Sequence, residues 1–76
     1  MQKSKVYQEA FQNAITLGYN KGKQDYKQKK PYKAVIENII IPSSVIDKED
    51  YKAGFAAGFR YGYNRGFYDH DDDNYN

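Results

Sequence analysis

The chain has 76 residues, including thirteen aromatic residues and six glycines, and it contains neither cysteine nor tryptophan. A chain this short forms one small domain with a thin core, which argues against a large substrate cleft, and the lack of cysteine excludes disulfides and thiolate metal sites. The formal net charge is +2, divided into +5 over residues 1–37 and −3 over residues 38–76, unlike the uniformly basic profile of a dedicated nucleic-acid binder.

The first predicted element is a helix over residues 4–28, with Ser4 as a candidate N-cap. Residues four apart share one face of a helix. Small residues recur at this spacing, at Ala10, Ala14, Gly18 and Gly22. Bulky residues lie about 100° around the helix from them, at Tyr7, Phe11, Ile15 and Tyr19. The pattern predicts a groove of small residues beside an apolar wall.

Lysines are concentrated around the end of this helix. Lys27, Lys29 and Lys30, with Tyr26 and Tyr32 between and beside them, have the composition of a phosphate-contacting segment. A solvated helix end accounts for the same residues equally well. Nucleic-acid binding is therefore kept as an alternative that the overall charge distribution does not favour.

The central predicted element covers residues 32–41. Val35, Ile36, Ile39 and Ile40 fit one face of a short amphipathic helix, which we favour, and the run Ile39–Ile41 also suits a short strand. Pro42 and the two serines after it end whichever element forms.

The second long helix is predicted over residues 48–68, with Asp47 as its N-cap candidate and acidic residues in its first turn. It repeats the first helix at an offset of 44 residues: residues 18–22 read Gly-Tyr-Asn-Lys-Gly and residues 62–66 read Gly-Tyr-Asn-Arg-Gly. The four glycines of this helix again stand four apart, at Gly54, Gly58, Gly62 and Gly66.

Six glycines inside helices would cost about 6 kcal/mol relative to alanine, so we expect them to be compensated by close packing. A glycine face lets a second backbone approach and adds dispersion contacts and Cα–H···O bonds. The sequence thus predicts an all-α fold, a close-packed hairpin of two long helices related by a pseudo-two-fold axis, within one chain or between chains. Because the stripe winds around the helix, we expect the middle glycines to touch tightest. The connection is long enough to allow parallel or antiparallel helices.

The last stretch, residues 70–76, is predicted to be a frayed acidic tail. Asp69, Asp71 and Asp73 alternate as in the opening of a calcium loop, but Asn74 stands where that loop needs glycine. The calcium-loop pattern is thus incomplete, and His70 is the single histidine. We therefore expect no metal site and no cofactor.

The helices built on Gly18–Gly22 and Gly54–Gly66 resemble those of the GX3-repeat helical adaptor proteins. One eukaryotic family of these, marked by a deca-GX3 motif, serves iron–sulfur protein assembly. With six glycines instead of ten, only the mode of packing carries over to this chain. The Lys-, Tyr-, Asn- and Ile-rich composition is also similar to that of small proteins of AT-rich bacteria and their phages.

No nucleophile–histidine pair, acid–base carboxylate pair or phosphate loop is visible, so we expect no enzyme. The favoured function is a cytoplasmic, homo-oligomeric protein-interaction module, such as a phage-type inhibitor or adaptor that binds a host protein. Tyrosine and arginine are typical of interface hot spots. The candidate partner-binding residues are Arg60, Tyr61, Arg65 and Tyr68. A binder of a nucleotide or other small ligand, with its site between chains, is the alternative. No membrane association is expected, since no long apolar run exists.

Overall fold

A computed structural model describes residues 4–69, which contain two α-helices, α1 (Lys5–Lys27) and α2 (Lys48–Tyr68), and no strand. Ser4 caps α1, because its Oγ accepts a 3.1 Å hydrogen bond from the backbone N–H of Tyr7. Asp47 caps α2 in the same way, accepting a 3.0 Å bond from the N–H of Asp50. The prediction of an all-α chain whose two helices pack against each other is confirmed.

The two helices run in the same direction. Ser4 Oγ donates a hydrogen bond to Asp50 Oδ2 where both helices begin. At the other end, the ring of Tyr26 packs edge-on against Phe67 with 5.9 Å between centroids. A helix of 21 residues is about 31 Å long, so the connection must return the chain over that whole length before α2 can start.

The glycines fix the register of the pair. Each α2 glycine (Gly54, Gly58, Gly62, Gly66) faces a backbone carbonyl oxygen 47 residues earlier, and Gly18 and Gly22 face carbonyls 41 residues later. The carbonyls facing the α2 glycines belong, in order, to Tyr7, Phe11, Ile15 and Tyr19. The two spacings are the 44-residue repeat offset plus and minus three, which is the signature of a pseudo-two-fold axis along the pair.

A side chain at any of these six glycines would overlap backbone of the other helix. A Cβ placed on Gly58, for example, would lie 2.8 Å from the carbonyl carbon of Phe11, closer than real Cβ atoms come. The glycine Cα hydrogens therefore point at carbonyl oxygens, the geometry of a Cα–H···O bond. The approach is equally close from Gly54 to Gly66, so the expectation that the middle positions touch tightest is wrong. A period-four stripe drifts right-handed around a helix, and the partner helix follows that drift.

The connection over residues 28–47, called the crossover below, contains neither a helix nor a strand, so the central element predicted over residues 32–41 is wrong. The inward-facing residues are Ala34, Ile36, Ile39, Ile41 and Val45, which pack against the core. This alternation is that of an extended chain with a bend between Ile36 and Ile39. Ile40, which the helical pattern placed inside, is 86% exposed. No neighbouring strand supplies a ladder, so the extended segment does not become a strand.

The crossover covers only one of the two matching rows of bulky residues. In the α2 row, Tyr51, Phe55, Phe59 and Tyr63 are all buried, and Tyr63 is fully so. In the α1 row, Tyr7, Phe11, Ile15 and Tyr19 are only half-buried. The pseudo-two-fold symmetry of the helices is thus broken by the connection between them. The predicted acidic tail, residues 70–76, lies outside the described residues.

Candidate functional site

The partly buried row of α1 forms a surface with an aromatic residue of α2. We call Phe11, Ile15, Tyr19 and Tyr61 the uncovered face. The ring of Tyr61 lies 5.8 Å from that of Phe11, centroid to centroid, and Tyr61 is still 49% exposed. The crossover packs against the other side of the helix pair, so within residues 4–69 these side chains are left to solvent or to a partner.

Arg65 lies one helical turn beyond Tyr61 at the edge of this face. Its guanidinium carbon stands 6.0 Å from the centre of the Tyr61 ring, a cation–π distance. The same group donates to the Tyr61 hydroxyl and pairs with the carboxylate of Asp69, each at 3.5 Å. The bond to the Tyr61 hydroxyl is the main influence that raises the pKa of Arg65. The Arg65 side chain is therefore held in a defined orientation at the edge of this face.

The other two predicted partner-binding residues lie apart from this pair. Tyr68 is 63% exposed and stacks on Tyr32 of the crossover, with 5.4 Å between ring centroids. Arg60 is exposed on α2. The four residues thus do not form one patch: Tyr61 belongs to the uncovered face and Arg65 lies at its edge, while Tyr68 packs against the start of the crossover.

A buried polar network closes the opposite side of the molecule. Tyr63 donates a 2.7 Å hydrogen bond from its hydroxyl to Asp25 Oδ2, and its hydroxyl oxygen accepts a 3.1 Å bond from the backbone N–H of Lys33. Lys21 Nζ lies 3.5 Å from Asp25 Oδ1. Burial, with the bond to Asp25 second, raises the pKa of Tyr63 above its ordinary value. The network ties α1, α2 and the crossover together.

Asp25 and Tyr63 were not among the predicted site residues. One signal could have found Asp25: it lies three residues after Gly22 and seven after Gly18, on the same buried stripe of α1. An acidic residue in such a stripe requires a hydrogen-bond donor from another element. The sequence does not identify that donor, because several tyrosines of α2 have the right chemistry.

The repeat gives the side chains of this network, but not the Lys33 N–H, counterparts on the uncovered side. Residues 44 apart correspond, so the Lys21–Asp25 ion pair matches the Arg65–Asp69 pair. Leu17 likewise corresponds to Tyr61, and Tyr63 corresponds to Tyr19. The Asp25 side chain is 7% exposed, because the crossover covers it, whereas the Asp69 side chain is 42% exposed. The uncovered side therefore has the same helical residues as the covered side but lacks a segment packed over them.

A cleft of about 650 Å³ opens beside Asp25, between α1 and the start of the crossover. Leu17, Val35 and Phe59 contribute apolar surface to it, and its charged lining residues are Lys21, Asp25, Lys30, Lys33 and Glu37. Asp25 Oδ1 is buried and accepts no hydrogen bond within the described residues. One chain supplies all the lining residues of this cleft, and a ligand site between chains stays a prediction.

Of the lysines predicted to contact phosphate, Lys30 lines this cleft, whereas Lys27 and Lys29 are not among its lining residues. Lys27, Lys29 and Lys30 are exposed, and Lys29 has a left-handed backbone (φ 60°) where α1 ends. Their role in nucleic-acid binding stays a prediction. Over residues 4–69 no group of three or more metal-ligating side chains comes together, and the acidic residues after Asp69 fall outside that range.

Comparison with known proteins gives no match. No family model, no curated protein and no solved structure matches this chain. The resemblance to GX3-repeat adaptors therefore rests on the glycine spacing alone. In the part of the chain that the structure describes, neither helix is long and apolar enough to cross a membrane.

Proposed function

We propose that this chain is a non-enzymatic protein-interaction module whose docking surface is the uncovered face. The supporting observation is the difference between two matching rows. The α2 row is at most 8% exposed beneath the crossover, whereas Phe11, Ile15 and Tyr19 in the α1 row are only partly buried. A chain with a thin core gains stability by covering such a row. A row left open beside a second aromatic side chain is typical of an interaction surface.

The composition of this surface supports the same function. Tyrosine and arginine are enriched among the residues that dominate binding energy. Tyr61 and Arg65 stand together at the edge of the uncovered face and hold each other in place. A side chain already oriented by its neighbours loses less conformational entropy when a partner binds. These two residues are therefore the proposed anchors.

The biological setting that we propose is a cytoplasmic inhibitor or adaptor of phage type that engages a host protein. The small size and single helical pair suit such a role. Homo-oligomerisation stays a prediction; an oligomer that formed through the uncovered face would compete with the host protein for that surface. The glycine stripes are already filled within one chain, since all six glycines face backbone carbonyls of the other helix.

The test compares two charge substitutions on one helix. Ile15→Glu changes the uncovered face, and Leu17→Glu is its matched control, because Leu17 is 52% exposed on the opposite side. Affinity-tagged chains would capture partners from a bacterial host, and each captured protein would then be purified and titrated. We expect a partner that binds the wild type and Leu17→Glu with equal affinity and Ile15→Glu at least tenfold more weakly. Equal affinity of the wild type, Leu17→Glu and Ile15→Glu for the captured protein would contradict the proposal.

A second candidate function, small-ligand or nucleotide binding, is supported by the cleft beside Asp25. Its volume of about 650 Å³ suits a small molecule. A thermal-shift screen with nucleotides tests this function: stabilisation that is lost in Leu17→Glu and kept in Ile15→Glu would place the ligand in the cleft.

A further inference from the structure

On the basis of the proposed function, we infer the chemical class of the partner. We propose that the uncovered face binds an extended, aliphatic segment of another protein that runs antiparallel to α1 and α2. The segment carries an acidic residue near its N-terminal end. The template for this partner is the crossover, which occupies the symmetry-related face of the same molecule.

The crossover shows what fits against such a row. It leaves the end of α1 and reaches the start of α2, so it runs antiparallel to both helices. Its inward side chains are small or aliphatic, and they lie on the buried row of α2. The 44-residue repeat carries that row onto the row of α1, and the shared register of the glycines shows that the backbones correspond as well. A segment of the same shape therefore fits the uncovered face.

A backbone hydrogen bond favours an extended partner over a helical one. On the covered side, the N–H of Lys33 donates to the Tyr63 hydroxyl. The counterpart of Tyr63 is Tyr19, on the uncovered face. An extended segment can offer a free N–H to the Tyr19 hydroxyl, whereas the backbone N–H groups of a helix interior are bonded within that helix.

Charge complementarity places the acidic residue. The α2 row continues into Phe67, and the ring of Tyr32 packs against it at 5.4 Å between centroids. The residue that corresponds to Phe67 is Lys23, whose ammonium lies 5.9 Å from the centre of the Tyr19 ring. Arg65, which pairs with Asp69, adds a second cation at this end of the face. A carboxylate in the partner, at the position that Tyr32 takes in the crossover, approaches the Lys23 ammonium and competes with Asp69 for Arg65.

A second copy of this chain supplies these features less well. Its helical rows have their backbone N–H groups bonded internally, and its crossover is already seated on its own α2 row. Self-association through the same face is therefore treated as a competing outcome that the experiment must separate from peptide binding.

The experiment uses the full chain and a synthetic peptide with the sequence of residues 31–45, in which Tyr32 is replaced by glutamate (Tyr32→Glu). Fluorescence anisotropy of the labelled peptide gives its affinity. We expect saturable binding that is unchanged in Leu17→Glu, at least tenfold weaker in Ile15→Glu, and about threefold to tenfold weaker in Tyr19→Phe, which lacks one hydrogen bond. The peptide that retains Tyr32 should bind more weakly, with a difference that shrinks in high salt.

Circular dichroism first establishes that each variant is folded. If Ile15→Glu does not fold, Tyr61→Ala replaces it, because Tyr61 is half-exposed and lies on the same face. Equal peptide binding by the wild type and the face variant overturns the inference. Binding that is lost only in Leu17→Glu also overturns it, since the peptide would then occupy the side of the crossover.

Light scattering on the same samples separates the remaining outcomes. If the chain self-associates, and only the face variant dissolves the assembly while no peptide binds, the occupant is a second copy. That result overturns the extended-segment inference and leaves the proposed docking function standing. If neither the peptide, a captured partner nor self-association responds to the face variant, both the inference and the proposed function fail.

Discussion

The hydroxyl of Tyr63 donates a 2.7 Å hydrogen bond to the buried carboxylate of Asp25, joining the C-terminal halves of two parallel helices. The same hydroxyl accepts the backbone N–H of Lys33, so one side chain connects α1, α2 and the crossover. The symmetry-related residues, Tyr19 and Asp69, lie where no crossover passes. The hydrogen bond between Tyr63 and Asp25 therefore distinguishes the covered side of the molecule from the uncovered side.

Removing the buried carboxylate should cost far more than removing its exposed counterpart. In Asp25→Ala, the Tyr63 hydroxyl keeps a buried donor with no acceptor, and we expect the free energy of unfolding to fall by about 1–3 kcal/mol. Asp69→Ala is the matched control, with an expected change within about 1 kcal/mol, because its ion pair is exposed. Urea denaturation measures both. Equal decreases in the free energy of unfolding would show that the buried network stabilises the fold no more than the exposed ion pair does.

The raised pKa of Tyr63 predicts a loss of stability in alkali. A tyrosine whose folded pKa lies above its unfolded value of about 10 stabilises the fold at every pH below that value. This contribution disappears as the pH rises through the folded pKa. Between pH 9 and pH 11, the wild type should lose more stability than Tyr63→Phe, which cannot ionise there. Thermal melts across this range measure the difference, and parallel pH profiles for the two chains would contradict it.

The glycine packing predicts a change of sign for a common stabilising substitution. In an open helix, Gly→Ala gains about 1 kcal/mol. In Gly58→Ala the new methyl group meets the backbone of Phe11, where overpacking costs about 3 kcal/mol. We expect a net loss of about 2 kcal/mol, or about 10 °C in Tm, and Gly58→Leu should not fold. Ala56→Gly, at an exposed position of α2, should lose only about 1 kcal/mol. A more stable Gly58→Ala chain would refute the close contact.

The extended crossover predicts different tolerance at two adjacent isoleucines. Ile39 packs against the core, whereas Ile40 is 86% exposed. Ile39→Asp should therefore lower the free energy of unfolding by at least about 2 kcal/mol through the burial of a charge. Ile40→Asp should leave the stability almost unchanged. Chemical denaturation of the two variants decides the point, and similar losses at both positions would favour the helical reading of this segment.

The spacing of residues along the sequence was enough to predict two packed helices, but not their direction or the path of the connection. Period-four glycines beside a bulky row indicate a close helix pair, because only packing can offset their cost. Whether the two helices run parallel or antiparallel could not be predicted, because contacts between residues far apart in sequence, such as Gly58 and Phe11, determine it. The crossover was misread because Val35, Ile36, Ile39 and Ile40 also fit a helical period. Which of its side chains face inward is determined by the aromatic row of α2 on which it packs. That row is distant in sequence, so the pattern within the crossover does not reveal it.

The site was predicted only in part for the same reason. Tyr61 and Arg65 were chosen for their chemistry, and the structure places them together beside Phe11. Tyr68 was grouped with them, but its ring stacks on Tyr32, which is distant in sequence. The contrast between Tyr19 and Tyr63 could not be predicted, because the repeat makes them equivalent until the crossover takes one side.

The most direct test of that contrast is tyrosine nitration of the free chain, mapped by mass spectrometry, with and without the Tyr32→Glu peptide. Tyr63 is fully buried and Tyr19 is only partly buried, so Tyr19 should be nitrated at least tenfold faster. The peptide should then protect Tyr19 and leave the exposed Tyr68 unchanged. Equal nitration of Tyr19 and Tyr63 in the free chain, or a Tyr19 rate that the saturating peptide does not alter, would contradict this account.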